Sequence, residues 1–167
     1  MLIPFHQLPA HSRIWIYQTN RSISSTEKKI ISSVLSEFCS EWSAHGNPLT
    51  TSFKIELGHF IILSVDENTA GASGCSIDGS VRVLKELGQQ LNIDFFDRTN
   101  IAFLLEGEIR LFPMKELPML FKTGTLTSSS VTFNNLVPNK SSFEKDWKVS
   151  TENSWLAKYL TKTTLSA

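Results

Sequence analysis

The stretch TAGASGCSID, residues 69–78, gathers two glycines, two serines, a cysteine and an aspartate just before an apolar-periodic run. A helix that starts near Cys75 or Ser76 aims its free N–H groups back at this loop, where they and the helix dipole favour an anion. Gly71 and Gly74 let the backbone come close to a ligand. Ser73 and Ser76 offer hydroxyls to a phosphate or carboxylate. Asp78 sits near the same terminus; its charge suits the dipole and competes with a bound anion. A thiolate at this place is stabilised, so Cys75 is the candidate nucleophile. The expected chemistry is a small anion pocket contacted by Ser73, Gly74, Ser76 and Asp78, or thiol chemistry at Cys75. The alternative is an ordinary capped helix, since Ser and Asp cap any helix and Cys is often a small buried hydrophobe.

Thiol catalysis needs a histidine within hydrogen-bond reach. His45 and His59 are the candidates. The histidines at 6, 11, 45 and 59 and the cysteines at 39 and 75 show no CxxC or HxxxH spacing, so no metal site and no cofactor are expected. No GxxxxGK[ST] loop occurs, and the glycines at 71, 74 and 79 do not make GxGxxG. A P-loop nucleotide hydrolase is therefore not expected. Trp15, Trp42, Trp147 and Trp155 are candidates for lining a groove, and Asn134-Asn135 could give polar contacts or simply make a turn.

These residues must be positioned by a regular frame. RIWIYQ (residues 13–18) reads as a strand. Ser24 and Glu27 form a capping-box signal before a helix carrying Ile30, Ile31, Val34, Leu35, Phe38 and Trp42 on one face, stopped by His45-Gly46-Asn47-Pro48. FKIEL (residues 53–57) alternates as a half-wet strand, Gly58-His59 suits a hairpin turn, and Phe60 to Val65 reads as a buried central strand. Ile77, Val81, Leu84, Leu87 and Leu91 mark a second helix. IAFLL (residues 101–105) and Ile109–Phe112 flank a Glu106-Gly107 turn. Further on come a short helix over Met114–Phe121, a strand at Val131–Phe133, a helix capped by Ser141 and Glu144, and a final helix from Ser154. TKTTLSA is expected to fray.

The order strand, helix, strand, strand, helix, strand predicts an α+β chain of one domain, 1–167, with a ferredoxin-like βαββαβ core and a C-terminal extension. In that arrangement both helices are expected to start at one end of the sheet. That places His45 and His59 away from Cys75 and argues against a Cys–His dyad.

Bulk properties narrow the partners. The chain has 167 residues, 41% of them hydrophobic, with 16 Lys+Arg balancing 16 Asp+Glu. It is long and apolar enough for a sizeable core. A neutral chain without a basic cluster is not expected to bind nucleic acid. The apolar run Phe60–Leu63 is too short to span a bilayer, so no membrane partner is expected. Two cysteines are too few for a disulfide framework, and the N-terminus lacks a signal-peptide pattern. The expected location is the cytoplasm.

The segments PFHQLPAHSRIWIYQTNR, EWSAHG, SGCSID, FNNLV and the closing SW resemble a family of short, uncharacterised bacterial proteins often labelled "ABC transporter ATPase". The similarity runs over most of the chain. Neither a Walker A loop nor an LSGGQ-like signature accompanies it here. The resemblance draws attention to SGCSID, residues 73–78, and to His45 as a further ligand contact. Three functional readings follow. One is a protein binding a small anionic ligand or a partner at Gly71–Asp78. Another is a thiol enzyme or redox-sensitive protein using Cys75. The third is a protein–protein module with an exposed sheet edge or a homodimer interface.

Overall fold

The computed structural model describes residues 1–68 and 70–160. Thr69 and the terminal TKTTLSA, where fraying is expected, lie outside the described residues. The elements run β1 (Arg13–Gln18), α1 (Ser25–Glu41), β2 (Ser43–Ala44), β3 (Asn47–Pro48), β4 (Thr50–Glu56), β5 (Phe60–Asp66), α2 (Gly74–Leu91), β6 (Asn100–Leu105), β7 (Glu108–Pro113), α3 (Leu117–Lys122), β8 (Val131–Phe133), α4 (Lys140–Asp146) and β9 (Lys148–Ser150). The class is α+β, as the sequence predicts.

The ferredoxin-like sheet does not form as expected. β1, β5 and β4 make a three-stranded antiparallel sheet in the order β1-β5-β4. That is the order expected for the first three core strands. The fourth, β6, does not join the free edge of β1. It pairs with β7 and β8 in a second antiparallel sheet, ordered β7-β6-β8-β9. The reason lies in β5, which is buried along residues 60–65. Successive strand residues point to opposite faces, so both faces of the first sheet are apolar and both need a cover. Ile61, Leu63 and Val65 pack with Ile31, Leu35 and Cys39 of α1 and Leu84 and Leu87 of α2. Phe60 and Ile62 pack with Ala102, Phe133, Phe143 and Trp147. The second sheet supplies that cover. Its far face holds Phe103, which packs with Leu117 and Phe121 of α3 and with Leu126 and Leu156.

Aromatic rings hold the two sheets together. Phe60 lies 4.8 Å from Phe133 and 5.0 Å from Trp147, the latter edge-on. Burying a side chain of this size stabilises the fold by roughly 1.5–3 kcal/mol, before any aromatic geometry.

The hairpins turn at residue–glycine pairs with both φ angles positive. These are His45-Gly46 (52°, 77°), Leu57-Gly58 (53°, 65°) and Glu106-Gly107 (51°, 79°). The pattern is a type I′ turn, whose twist matches that of the flanking strands. Two expectations shift accordingly. The second hairpin turns at Leu57-Gly58 rather than at Gly58-His59. Helix α1 ends at Glu41 with Trp42 as its cap residue, so Gly46 turns a small ribbon instead of closing the helix. The fourth helix is capped by Asn139 with Ser142, in place of Ser141 with Glu144.

α1 and α2 run antiparallel, which overturns the expectation that they start at one end. Because β1 and β5 are antiparallel, the helices that follow them begin at opposite ends. Side chains tie both junctions. Arg21 grips the Glu27 carboxylate with two bonds of 2.9 and 2.7 Å, and donates to the Leu91 carbonyl at the end of α2 (2.7 Å). The Arg21 guanidinium and the Ser24 amide hold the Glu27 carboxyl down to about 2. At the other end Trp42, just past α1, donates its Nε1–H to the Ser76 carbonyl in the first turn of α2 (2.9 Å).

Candidate functional site

The first turn of α2 is a reciprocal capping box. Ser73 is the N-cap, and its Oγ accepts from the Ser76 amide (3.2 Å). The Ser76 Oγ accepts from the Ser73 amide (2.7 Å). Glu67 takes the Ala72 amide (3.2 Å) and reaches Arg13 (3.4 Å). The amides of 72, 73 and 76 are bonded within the protein, whereas those of Gly74 and Cys75 have no bonded partner among the described residues. Ser76 is buried, whereas Gly74, Cys75 and Asp78 are exposed. Asp78 and Glu67 add negative charge at the terminus.

The histidines do not complete a thiol dyad. His45 is exposed in the β2–β3 turn and His59 lies at the β4–β5 turn, with its Nδ1 3.2 Å from the Leu57 oxygen. The β2–β3 ribbon follows Trp42, so it lies at the same end of the helix layer as Cys75. Even so, no hydrogen bond joins Cys75 to either histidine among the described residues. Cys39 is buried under α1, and burial pushes its thiol up to about 12. No group of three or more His, Cys, Asp or Glu side chains able to hold a metal occurs among the described residues.

A second region has the geometry that the α2 terminus lacks. β6 leaves the first sheet, so a cleft of about 870 Å³ runs along the edge of β1 where a fourth strand would lie. This volume is within the range of ligand sites. Residues 13–18 form its floor. Val81 and Lys85 of α2 form one wall, Asn135 to Pro138 the other, and Phe95 to Arg98 close the end.

The ends of the β1 edge are pinned. The Ile14 amide donates to the Pro138 carbonyl (3.0 Å), and the Asp97 amide donates to the Gln18 carbonyl (3.1 Å). In an antiparallel pair, successive residues turn their N–H and C=O alternately to the partner and away. The two pinned groups fix the phase, so the N–H and C=O of Ile16 face the cleft. No described protein group bonds them.

Charge and apolar surface complete the cleft. Arg13 stands near one end, 4.7 Å over the Trp15 ring, and its ion pair with Glu67 is a loose 3.4 Å. Lys85 and Arg98 line the cleft, are exposed, and make no ion pair among the described residues. The one carboxylate in the lining, Asp97, is buried and bonded to Thr99 (2.8 Å to its hydroxyl) and Asn100 (2.9 Å). Tyr17 and Phe96 meet edge-on at 5.5 Å. Leu136 stands 90% exposed at the lip, an apolar group left uncovered where a ligand could cover it. Gln18 holds the floor, donating to the Asn100 carbonyl (2.9 Å) while Asn135 donates to its Oε1 (3.4 Å). Asn135 in turn accepts from the Trp147 indole (2.9 Å).

The chain matches no protein-family model, no curated protein and no solved structure.

Of the residues singled out in the sequence, Trp15 and Asn135 line this cleft. Trp155, 53% exposed, lines an adjoining depression of about 210 Å³ that shares Gln18, Arg98 and Asn135. Trp42 and Trp147 are core. Sequence reasoning missed Gln18, Lys85 and Leu136. Exposed basic residues carry no mark of the cavity they border. The unpaired edge of β1 was invisible because β6 was expected to fill it. No helix of the described chain is long and apolar enough to cross a membrane.

Proposed function

We propose that the protein is a binding protein whose ligand is an acidic molecule received in the cleft beside β1. The observation that carries this reading is the cationic, hydrogen-bond-hungry edge: among the described residues, Lys85 and Arg98 have no carboxylate partner and lie beside an unbonded Ile16 backbone. An anion between two unpaired cations in a half-enclosed site gains more from each than it would in open water. The anionic class is the one the sequence suggested. Its place moves from the α2 terminus to the β1 cleft, because the terminus carries the Glu67 and Asp78 carboxylates and has bonded the amides of 72, 73 and 76. The thiol reading has an exposed Cys75 but no histidine bonded to it among the described residues. A reducing compartment such as the cytoplasm fits two unpaired cysteines, Cys39 and Cys75.

The test uses anilinonaphthalene sulfonate, an anionic aromatic dye. Reversing both charges (Lys85→Glu with Arg98→Glu) should weaken dye binding at least about tenfold, a change of ~1.4 kcal/mol. Ser73→Ala should leave it within about twofold. Equal affinity for the double variant and the parent protein would refute the assignment of the site.

A further inference from the structure

Resting on that reading, we infer that the occupant of the cleft is an extended peptide with acidic side chains on alternate residues, which adds to the first sheet as a strand beside β1. The slot is the position a fourth strand would take in a four-stranded sheet. Its floor is a strand edge rather than a flat wall. Ile16 offers one donor and one acceptor aimed outward, at the spacing that main-chain addition uses. A small anion would satisfy the cations but would leave that backbone pair without a partner.

The two walls set the side-chain pattern. A strand beside β1 turns alternate residues to opposite faces. One set faces the helix layer, as Trp15 and Tyr17 do, and meets Lys85, with Arg13 and Arg98 towards the two ends. Acidic side chains fit there. The other set faces the second sheet, beside Ile14, Ile16 and Val137. Branched apolar side chains fit there, and Leu136 at the lip can close over them.

A second copy of this chain suits the slot less well. Pro138 and Asp97 cap the two ends of the edge, and the 135–138 segment rises beside it. The sheet edge of another copy would bring the same flanking segments to both ends of the edge, whereas one slim extended chain brings none.

The experiment titrates the whole protein with two capped pentapeptides of opposite phase, acetyl-Glu-Val-Glu-Val-Glu-amide and acetyl-Val-Glu-Val-Glu-Val-amide. The tighter one is then remade with N-methyl groups on residues 2 and 4, or on residues 1, 3 and 5. The expected result is that one methylation phase weakens binding at least about tenfold while the other stays within about threefold. Exchange of the Ile16 amide should slow on binding of the unmethylated peptide. Charge reversal at Lys85 and Arg98 should weaken the peptide as it weakens the dye. If the dye depends on Lys85 and Arg98 but both peptides bind more weakly than about 1 mM, or both methylation phases act alike, the strand inference is overturned and the anionic cleft stands. If neither dye nor peptide responds to those two residues, both readings fall. A free protein that sediments as a dimer with its Ile16 amide already protected would also overturn the peptide, in favour of a second copy.

Discussion

The first turn of α2 and the edge of β1 both carry backbone amides and polar side chains that could meet an acidic ligand. At the α2 turn the protein answers part of its own donor set, the amides of 72, 73 and 76. Ser73 and Ser76 bond each other's amides, Glu67 takes the Ala72 amide, and Trp42 closes on the Ser76 carbonyl. At the β1 edge the two ends are pinned and the middle is left open, with no ion pair at Lys85 or Arg98 among the described residues. The difference teaches that residue types alone do not make a site. What matters is whether the fold has already satisfied them. Substitutions at the turn should therefore cost stability and spare binding, whereas substitutions at the edge should cost binding.

The largest effect on stability is expected at the joint between the two sheets. Gln18→Ala removes the donor to the Asn100 carbonyl, a bond of 2.9 Å. Leaving that acceptor and the Asn135 amide without their partner should destabilise the fold by about 1–3 kcal/mol. Because Gln18 floors the cleft, dye affinity should fall as well; urea denaturation and a dye titration on one sample read both. Ser73→Ala comes next. Loss of the N-cap should lower stability by ~1 kcal/mol in urea melts and leave the dye titration unchanged. A drop in dye affinity here would revive the α2 terminus as a site.

Acid provides a subtler contrast. The Glu27 carboxyl lies at about 2 in the fold against an ordinary 4.5. A lowered carboxylate contributes stability that is complete above its unfolded value and is lost as pH falls through its folded value. Glu27→Gln should therefore be less stable than the parent above pH 4.5, with the gap closing as pH falls towards 2. Thermal melts across that window test it, and binding in the cleft should not follow Glu27. The smallest effect is expected from Cys75→Ser, an exposed position. Its stability should stay within about 0.5 kcal/mol of the parent. In the native protein, iodoacetamide should label Cys75 and spare Cys39 until unfolding, as counted by mass spectrometry.

Much of the frame was legible in the sequence, because hydrophobic period and capping chemistry act locally. The Ser24–Glu27 box, the buried run Phe60–Val65 and the Glu106-Gly107 hairpin need only near neighbours to be read. The partner of β6 was not legible, since a strand of IAFLL character suits either sheet. The decisive hint was that β5 is apolar on both faces, so helices on one side alone could not cover it. The antiparallel run of α1 and α2 also follows from the β1–β5 pairing, and missing it misplaced His45 relative to Cys75. The cleft itself is a product of that one choice of sheet, so no local motif could announce it. Lys85 looks like any solvated cation until β6 moves away from β1.

The most direct test of the account is a map of backbone amide chemical shifts on adding the acidic pentapeptide. The account predicts the largest changes at Ile14 to Gln18, Phe96 to Arg98 and Asn135 to Val137, with residues 72–78 still. Shifts confined to Ala72–Asp78, with the β1 edge unmoved, would contradict it and return the site to the α2 terminus.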